Sequence, residues 1–408
     1  MSPSPRADRD TLSTRIVLML LFGTQPIAMD LYLPALPDIA THFGGKTSEV
    51  QATLTVYLLA FGIAQLVAGP VADRYGRRRT LLWGLALYTL AALMGVFARD
   101  LFVLVGSRAL QGVATAACVV SARAVIRDCF SGAAGLGIMA RSMSGMSAIA
   151  LISPVLGGLV SSAFGWTSTI ALIGIFGLTA WFTVYLSFAE SAPLAQGKQR
   201  IGLGTLLRHR QFLFSSLLAG TSFSGAVAFL LLSPFIFIGE YGMSKTAYGL
   251  VPALGSFAFL SGTLLCRQLL QRRAVQDVVR LGALFSLVGG AGQFLLWHAE
   301  VRTLWALLLP QCLYMLGHGI HQPCGQAGAV SPFPASAGRA AAVSGFIIIA
   351  SAFSVGQLVA HSPLALDQTL VTTLSLLAAG VTAIAWLALP MAYRHAAAVQ
   401  PVPRSEGS

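Results

Sequence analysis

The chain has 408 residues, of which 56% are hydrophobic and only 10% are charged. A soluble domain carries about 25% charged residues, so the composition excludes a soluble protein with a single anchor and predicts a polytopic membrane protein. The net charge of +12 does not indicate a nucleic-acid partner, because the basic residues lie between apolar segments rather than in one patch.

Twelve apolar segments, each long enough to cross a bilayer, follow one another along the chain. They are expected at about 15–37, 50–70, 80–98, 101–123, 138–162, 167–188, 212–239, 247–267, 278–297, 303–327, 340–361 and 368–391. The sequence predicts an all-α membrane protein whose twelve transmembrane helices form two pseudo-symmetric six-helix bundles. The predicted parts are an N-terminal tail over 1–14, a first bundle over 15–188, a polar linker over 189–211, a second bundle over 212–391 and a C-terminal tail over 392–408.

Lysine and arginine residues are distributed unevenly between the two sets of loops. If the N-terminus is cytoplasmic, Arg108 alone lies within a span, and only Lys46, Arg99, Lys245 and Arg302 lie on the opposite side of the membrane. By the positive-inside rule, both termini are expected in the cytoplasm. Arginine strongly outnumbers lysine, which is typical of a GC-rich bacterial genome, so the predicted location is the bacterial inner membrane.

The first span contains Asp30, the only acidic residue that lies well inside an apolar segment. A carboxylate at that depth costs on the order of 2.5–3.5 kcal/mol, so something must offset its presence. Two interpretations are open: Asp30 takes up and releases a proton as part of the function, or it is a neutral carboxyl group that bonds a backbone carbonyl freed by Pro26 or Pro34. We favour the first, because ionisable groups inside membranes mark proton and substrate pathways.

The loop after the second span combines acidic, basic and glycine residues at a fixed spacing: Gly69, Asp73, Arg74, Gly76, Arg77 and Arg78. This loop resembles the G-x-x-x-D-R-x-G-R-R/K signature of the major facilitator superfamily. The resemblance implies a conformational latch on the cytoplasmic side, in which Asp73 acts through Arg127 and the start of the eleventh span near Arg339. A loop that only anchors the chain at the anionic inner leaflet would explain the arginines, but not Asp73 or the glycines.

The fourth span reads Arg108-Ala-Leu-Gln111-Gly112 and resembles the R-x-x-Q-G motif of proton-coupled members of the superfamily. The rise of a helix, about 1.5 Å per residue, places Asp30 and Arg108 at a similar level, roughly 6 Å outward of the midplane. In this fold the first and fourth spans are neighbours around the cavity. We therefore predict that Asp30 and Arg108 interact and couple transport to protons.

The fifth span contains Ser153-Pro154-Val-Leu-Gly157-Gly158. This run resembles the antiporter motif G-P-x-x-G-G of drug exporters in the superfamily, with Ser153 in place of the first glycine. The resemblance favours export over import. The alternative is a glycine-rich packing face, which is common in membrane helices.

Four stretches spread over both halves resemble the Bcr/CflA family of bicyclomycin- and chloramphenicol-resistance exporters. They are Met29 to Pro37, Arg127-Asp128, Ser233-Pro234-Phe235-Ile-Phe237 with Tyr241-Gly242, and Ser331-Pro332-Phe333-Pro334 with Ala337-Gly338. The D-x-Y-L-P-A-L-P run in the first stretch is the most specific. The resemblance implies antiport of protons against drugs and leaves the substrate open, because members differ widely.

Candidates for lining the substrate cavity come from four spans: Gln25, Tyr32, Gln111, Phe229, His318 and His321. His318 and His321 lie three residues apart on one face of the tenth span. We expect them to line the cavity, to pack or to assist proton movement, and we do not predict a metal site, because no third ligand is visible nearby. The five cysteines have no paired spacing and are expected to be reduced thiols with packing roles.

The predicted function is a proton-coupled efflux transporter that exports small amphiphilic compounds or drugs by alternating access. The alternative is a dedicated exporter of an endogenous metabolite, such as a siderophore or nucleoside. An enzyme is not predicted, because the loops hold no nucleophile triad, phosphate loop or metal-ligand cluster. The expected partners are the substrate, protons and membrane lipids, with no cofactor and no nucleic acid, and the chain is expected to be a monomer.

Overall fold

The computed structural model describes residues 12–130, 132–190 and 202–392, and within these ranges the chain forms helices and turns without a β-strand. The long helices are α1 (Leu12–Asp30), α2 (Thr47–Tyr75), α3 (Arg77–Val96), α4 (Leu101–Cys129), α5 (Gly132–Phe164), α6 (Trp166–Ser187), α7 (Arg210–Pro234), α8 (Leu250–Leu269), α9 (Val275–His298), α10 (Leu304–Val330), α11 (Ala337–Ala360) and α12 (Leu366–Ala383). Short helices over Leu36–Phe43, Leu203–Arg208 and Lys245–Tyr248 precede α2, α7 and α8, and π-helical turns over Phe235–Glu240 and Ile384–Ala388 extend α7 and α12.

Helices α1–α6 pack into one bundle and helices α7–α12 into a second. In the described ranges, eleven helical segments are long and apolar enough to cross a membrane. The remaining long helix, α10, has 27 residues and several polar side chains, and it packs against α7, α8 and α9. Its polar groups are therefore enclosed by protein rather than by lipid, which is where a membrane protein tolerates them. The predicted all-α fold of twelve membrane helices in two bundles is confirmed.

The first membrane crossing is not one continuous helix. Helix α1 ends at Asp30, a 3-10 turn follows over Leu33–Ala35, and a second helix begins at Leu36. Pro34 has no N–H to offer the carbonyl of Asp30, four residues earlier, and its ring would clash with that carbonyl if the helix continued. The sequence therefore places a helix break, with Asp30 at its start, inside the membrane-crossing segment Thr14–Phe43.

One end of the molecule carries Arg77, Arg78 and Arg272, and we call it the arginine-rich end. The two bundles meet at the opposite end, which we call the arginine-poor end. Among the described residues, four polar contacts join the bundles at the arginine-poor end: Lys245 with Asp38, Gln51 with the carbonyl of Leu231, Gln357 with Thr55, and Ser162 with Thr246. This conformation is therefore closed at the arginine-poor end.

The glycine-containing motif of α5 lies inside this contact. A Cβ atom at Gly158 would overlap the carbonyl oxygen of Lys245, and one at Gly157 would overlap the carbonyl oxygen of Leu31. Pro154, one turn earlier, also lies beside the start of α8. Small residues thus bring α5 into backbone contact with both the break in the first crossing and the second bundle. The role of the motif in antiport stays a prediction.

The substitution Gly158→Ala tests whether α5 and the second bundle are in contact at the arginine-poor end. In a variant without native cysteines, Ser162→Cys and Thr246→Cys should form a disulfide between the bundles, because the two hydroxyl oxygens lie 3.4 Å apart. Adding Gly158→Ala should lower the cross-link yield by roughly half or more, because the new methyl group separates the two backbones. A protease site in the linker lets a denaturing gel report the cross-link.

Gly255→Ala is the matched control. Its Cβ would meet Cγ of Met315 at 3.8 Å, an ordinary contact within the second bundle, so the yield should not change. Equal yields for Gly158→Ala and Gly255→Ala would contradict the closed contact.

Candidate functional site

Asp30 lies at the break of the first crossing, between the two bundles. Its side chain is half-buried, and it forms no hydrogen bond or ion pair with another described residue. Tyr57 of α2 and Tyr248, just before α8, lie within electrostatic range of its carboxyl group. If Asp30 were a purely structural, neutral carboxyl group, it would donate a hydrogen bond to a backbone carbonyl. No such hydrogen bond is present in the described part of the chain.

Arg108 of α4 lies fully inside the first bundle, with 1% of its surface exposed. Its Nη2 donates to the carbonyl oxygen of Ala28 at 2.6 Å, and its Nη1 donates to Oε1 of Gln111. The rings of Tyr32 and Tyr57 flank the guanidinium group, with centroids 4.6 and 4.9 Å from Cζ. A cation over aromatic rings is favourable where water is excluded. We call Arg108, Gln111, Tyr32 and Tyr57 the arginine cluster.

The arginine cluster holds the broken end of α1. Ala28 belongs to the last turn of α1, where carbonyl groups lack the N–H donors that a longer helix would supply. A cation at that position also meets the negative end of the helix dipole. Arg108 therefore caps α1 and fixes the position of Asp30, which lies two residues after the capped carbonyl.

The predicted interaction between Asp30 and Arg108 is not formed in this conformation. The two residues do lie near the same level, because Arg108 reaches the turn of α1 that ends at Asp30. Instead, the Nη2 and Nη1 atoms of Arg108 donate hydrogen bonds to the Ala28 carbonyl and to the Gln111 side chain. In the described part of the chain, Nε of Arg108 and Nε2 of Gln111 remain without a partner.

Of the first-bundle and α7 candidates for cavity lining, Gln25 is half-buried, whereas Tyr32, Gln111 and Phe229 are buried in this conformation. Tyr32 and Gln111 belong to the arginine cluster and contact Arg108. The Tyr32 hydroxyl also lies 3.3 Å from the Thr53 hydroxyl. Phe229 packs near Phe237, with ring centroids 6.1 Å apart. These three side chains do not line an open cavity in this conformation, so their contact with substrate stays a prediction.

His318 and His321 do not line an open cavity in this conformation. Their Nδ1 atoms lie 3.0 and 3.3 Å from the Ser222 hydroxyl, and Nε2 of His321 lies 3.3 Å from the carbonyl oxygen of Val279 on α9. Both residues are buried inside the second bundle, at 4% and 0% exposure. Three of their four ring nitrogens contact polar atoms of neighbouring helices, which favours the packing alternative.

The loop between α2 and α3 contains an ion-pair network within the first bundle. Nη2 of Arg77 lies 2.5 Å from the Asp73 carboxylate, and Nε of Arg77 lies 3.0 Å from the Asp128 carboxylate on α4. Arg77 is buried, whereas Asp73 is about half exposed. The network ties the loop to the arginine-rich end of α4.

Glu190, just after α6, caps the start of α3. Its carboxylate accepts hydrogen bonds from the backbone N–H groups of Arg77 and Arg78 at 2.8 and 3.1 Å. Gly76 turns the chain here with φ +92°, and a Cβ atom at this position would collide with the Glu190 carboxylate. An anion at a helix N-terminus is favoured by the unpaired N–H groups and the helix dipole. Gly76 is thus required both for the turn and for the cap.

The remaining latch candidates are placed as follows. Gly69 faces Val120 of α4, and the guanidinium of Arg74 lies over the Tyr75 ring at 5.4 Å. The Arg127 side chain lies outside the described part of the structure. No ion pair joins Asp73 to Arg339 among the described residues, so the latch between bundles stays a prediction for another conformation.

Sequence reasoning missed Tyr57, Asp128 and Glu190 as partners in these networks. Tyr57 lies in an apolar run whose pattern does not distinguish it. Asp128 was noted only as part of a resemblance, and its contact with Arg77 depends on the packing of α4 against the loop. A signal did exist for Glu190: it is the first acidic residue after the sixth span.

The different environments of Arg108 and Asp30 lead to a stability prediction. Arg108→Ala should lower the free energy of unfolding by about 3 kcal/mol, because it leaves the end of α1 uncapped and the arginine cluster empty. Asp30→Asn should change it by less than about 1 kcal/mol, because no hydrogen bond or ion pair with a described residue is lost. Thermal unfolding of both variants in detergent measures the difference. Equal losses for the two would indicate an Asp30–Arg108 pair instead.

Comparison with known proteins agrees with this architecture. The family model described as Major Facilitator Superfamily matches residues 18–360. Multidrug resistance protein D of Escherichia coli K12 is 26% identical over 81% of this chain and 84% of its own length. The chloramphenicol resistance protein of Pseudomonas aeruginosa is 28% identical over 82% of this chain and 81% of its own length.

A solved structure of a D-xylose–proton symporter covers 93% of this chain and 98% of its own length, with a TM-score of 0.75 and 14% sequence identity. That identity shows the fold alone. The family match covers most of the chain, from α1 to the end of α11. The chain therefore belongs to the major facilitator superfamily of membrane transporters.

Proposed function

We propose that this transporter is a proton-coupled exporter of small amphiphilic compounds, which takes up protons in exchange for its substrate by alternating access across the bacterial inner membrane. The observation that carries the proposal is Asp30, a half-buried carboxyl group without a partner among the described residues, at a helix break between the two bundles. An ionisable group in that position is costly unless it serves a pathway.

The surroundings of Asp30 support a reversible proton site. A charged carboxylate without a partner is disfavoured inside the membrane, so Asp30 takes up a proton when the site is shielded from water. After a small shift of α1, the unused N–H donors on Arg108 and Gln111 can hold the ionised form. Proton release is thereby linked to a change in the position of the α1 break.

The contacts between the bundles support alternating access. By the positive-inside rule the arginine-rich end faces the cytoplasm, so the structure is closed toward the outside. Opening outward must break the contacts of Lys245 with Asp38 and of Gln51 with Leu231. The loop of Asp73 and Arg77 then becomes available to latch the cytoplasmic end, as the family signature implies.

Relatives named for multidrug and chloramphenicol resistance support a drug-like substrate class. Gln25, the half-buried polar residue of α1 nearest to the break, is the candidate we propose for contact with the substrate. A dedicated exporter of one endogenous metabolite would share the proton site but would fail to transport a panel of unrelated amphiphilic drugs.

Asp30→Asn tests the coupling directly. Proteoliposomes with an acidic lumen and wild-type protein should accumulate chloramphenicol or another drug from such a panel, because protons leave as the drug enters. An asparagine side chain cannot titrate, so this variant should lose at least roughly 90% of the gradient-driven accumulation. It should keep drug–drug counterflow, which needs alternating access but no net proton movement.

Asp277→Asn is the control, because Asp277 is an exposed carboxylate on α9 that pairs only weakly with Arg280 at 3.5 Å. It should behave like the wild type in both assays. Undiminished gradient-driven accumulation by the Asp30 variant would contradict Asp30 as the proton site.

Asp73→Asn tests the latch. The variant should bind substrate as the wild type does, but counterflow should slow, because the outward-open state loses stabilisation on the order of 1–2 kcal/mol. Arg77 keeps its bond to Asp128 in this variant, so the loop itself should stay folded. Unchanged counterflow would show that the loop serves only as an anchor at the membrane surface.

A further inference from the structure

Two cysteines that are far apart in sequence face each other inside the second bundle. The Sγ atoms of Cys266 on α8 and Cys324 on α10 lie 3.5 Å apart. Both residues are buried, at 2% and 7% exposure. A disulfide bond is about 2.05 Å long, so the two sulfur atoms need to approach each other by only about 1.5 Å to form one.

The pair lies next to Pro323, one of two prolines inside α10. Pro323 has no N–H, so the carbonyl of Gly319, four residues earlier, loses its helical partner. The Thr263 hydroxyl on α8 lies 3.2 Å from that carbonyl oxygen and 3.0 Å from the carbonyl oxygen of Phe259 in its own helix, so the two acceptors share its single proton. The thiol contact follows one turn later on both helices. Helix α8 therefore supports α10 at the proline through one hydrogen bond and one sulfur–sulfur contact.

The close packing of the two helices keeps the sulfur atoms together. A Cβ atom at Gly319 would overlap the carbonyl oxygen of Phe259 on α8, so the two backbones are in direct contact there. The sulfur atoms lie beyond this contact on the same side of the helix pair. Their separation is set by backbone packing rather than by flexible side chains.

We propose that Cys266 and Cys324 form an oxidant-sensitive dithiol, and that a small peroxide converts it into a disulfide that ties α10 to α8 beyond Pro323. One thiol attacks a peroxide oxygen of hydrogen peroxide, which yields a sulfenic acid and one water molecule. The second thiol then attacks that sulfur, forms the S–S bond and releases a second water molecule. The two thiols together lose two electrons and two protons, which the peroxide accepts.

The space beside Cys324 is about the size of a water molecule, so we expect only a very small oxidant to reach the thiol. A narrow crevice between α7, α9 and the end of α12 reaches this residue, lined also by Ser215, Val279 and Leu389. The site lies toward the arginine-rich end, which by our proposed orientation faces the reducing cytoplasm. The dithiol is therefore the resting state, and the disulfide forms under oxidative conditions.

The experiment uses the full-length protein in detergent. The protein is treated with hydrogen peroxide, freed of oxidant, denatured and labelled with N-ethylmaleimide, and its intact mass is recorded. Five thiols should label before oxidation and three after it, and a disulfide-linked peptide pair should contain Cys266 and Cys324. Five labelled thiols after oxidation, or a disulfide between other cysteines, would overturn the proposal.

The controls separate the pair from the other thiols. Cys266→Ser should label at its four remaining thiols both before and after mild oxidation, whereas Cys312→Ser should still form the disulfide. The midpoint of thermal unfolding of the oxidised wild type should rise by at least about 2 °C, and dithiothreitol should reverse the rise. A disulfide that forms without this reversible shift would overturn the claim that it ties α10 to α8. Neither thiol labelling nor thermal unfolding depends on transport. The two measurements therefore test this site separately from the proposed export function.

Discussion

The end of α1 inside the membrane depends on one buried cation. Pro34 stops the helix at Asp30, and the last carbonyl groups of α1 then need donors that the backbone cannot provide. Arg108 provides one of them, and Tyr32 and Tyr57 hold its guanidinium group in place. A buried arginine is itself costly, so the helix break and the cation stabilise each other. Asp30 is left between the bundles, with no hydrogen bond or ion pair to another described residue.

The same break is part of the contact between the bundles. Gly157 brings α5 against the backbone of Leu31, just after Asp30, while Gly158 brings it against Lys245 of the second bundle. A change in the position of the α1 break is therefore transmitted to the closed end through direct backbone packing. Because packed backbones cannot deform gradually, such a contact favours two discrete arrangements over a continuum. We propose that this packing links the protonation of Asp30 to the opening of the transporter.

The apolar segments and the charge distribution were sufficient to predict the twelve helices and the two bundles, because long apolar segments have few alternatives in a membrane. The family was predicted separately, from the resemblance of short motifs such as the loop from Gly69 to Arg78. The depth of Asp30 and Arg108 also followed from helix rise. The direct pairing did not, because it depends on which acceptors Arg108 reaches, and these are the backbone carbonyl of Ala28 and the side chain of Gln111. The sequence left the role of the two histidines open, because helix periodicity gives the face that they share but not which neighbour covers that face. Ser222 covers it here.

The central proposal is that Asp30 is the site at which protons are exchanged for substrate. In weakly buffered detergent solution with a pH indicator dye, addition of a transported drug to the wild-type protein should release about one proton per molecule of transporter. Asp30→Asn should bind the same drug, as measured by tryptophan fluorescence or calorimetry, and release none. Equal proton release by the wild type and the Asp30 variant would contradict the account, because the proton would then come from another group.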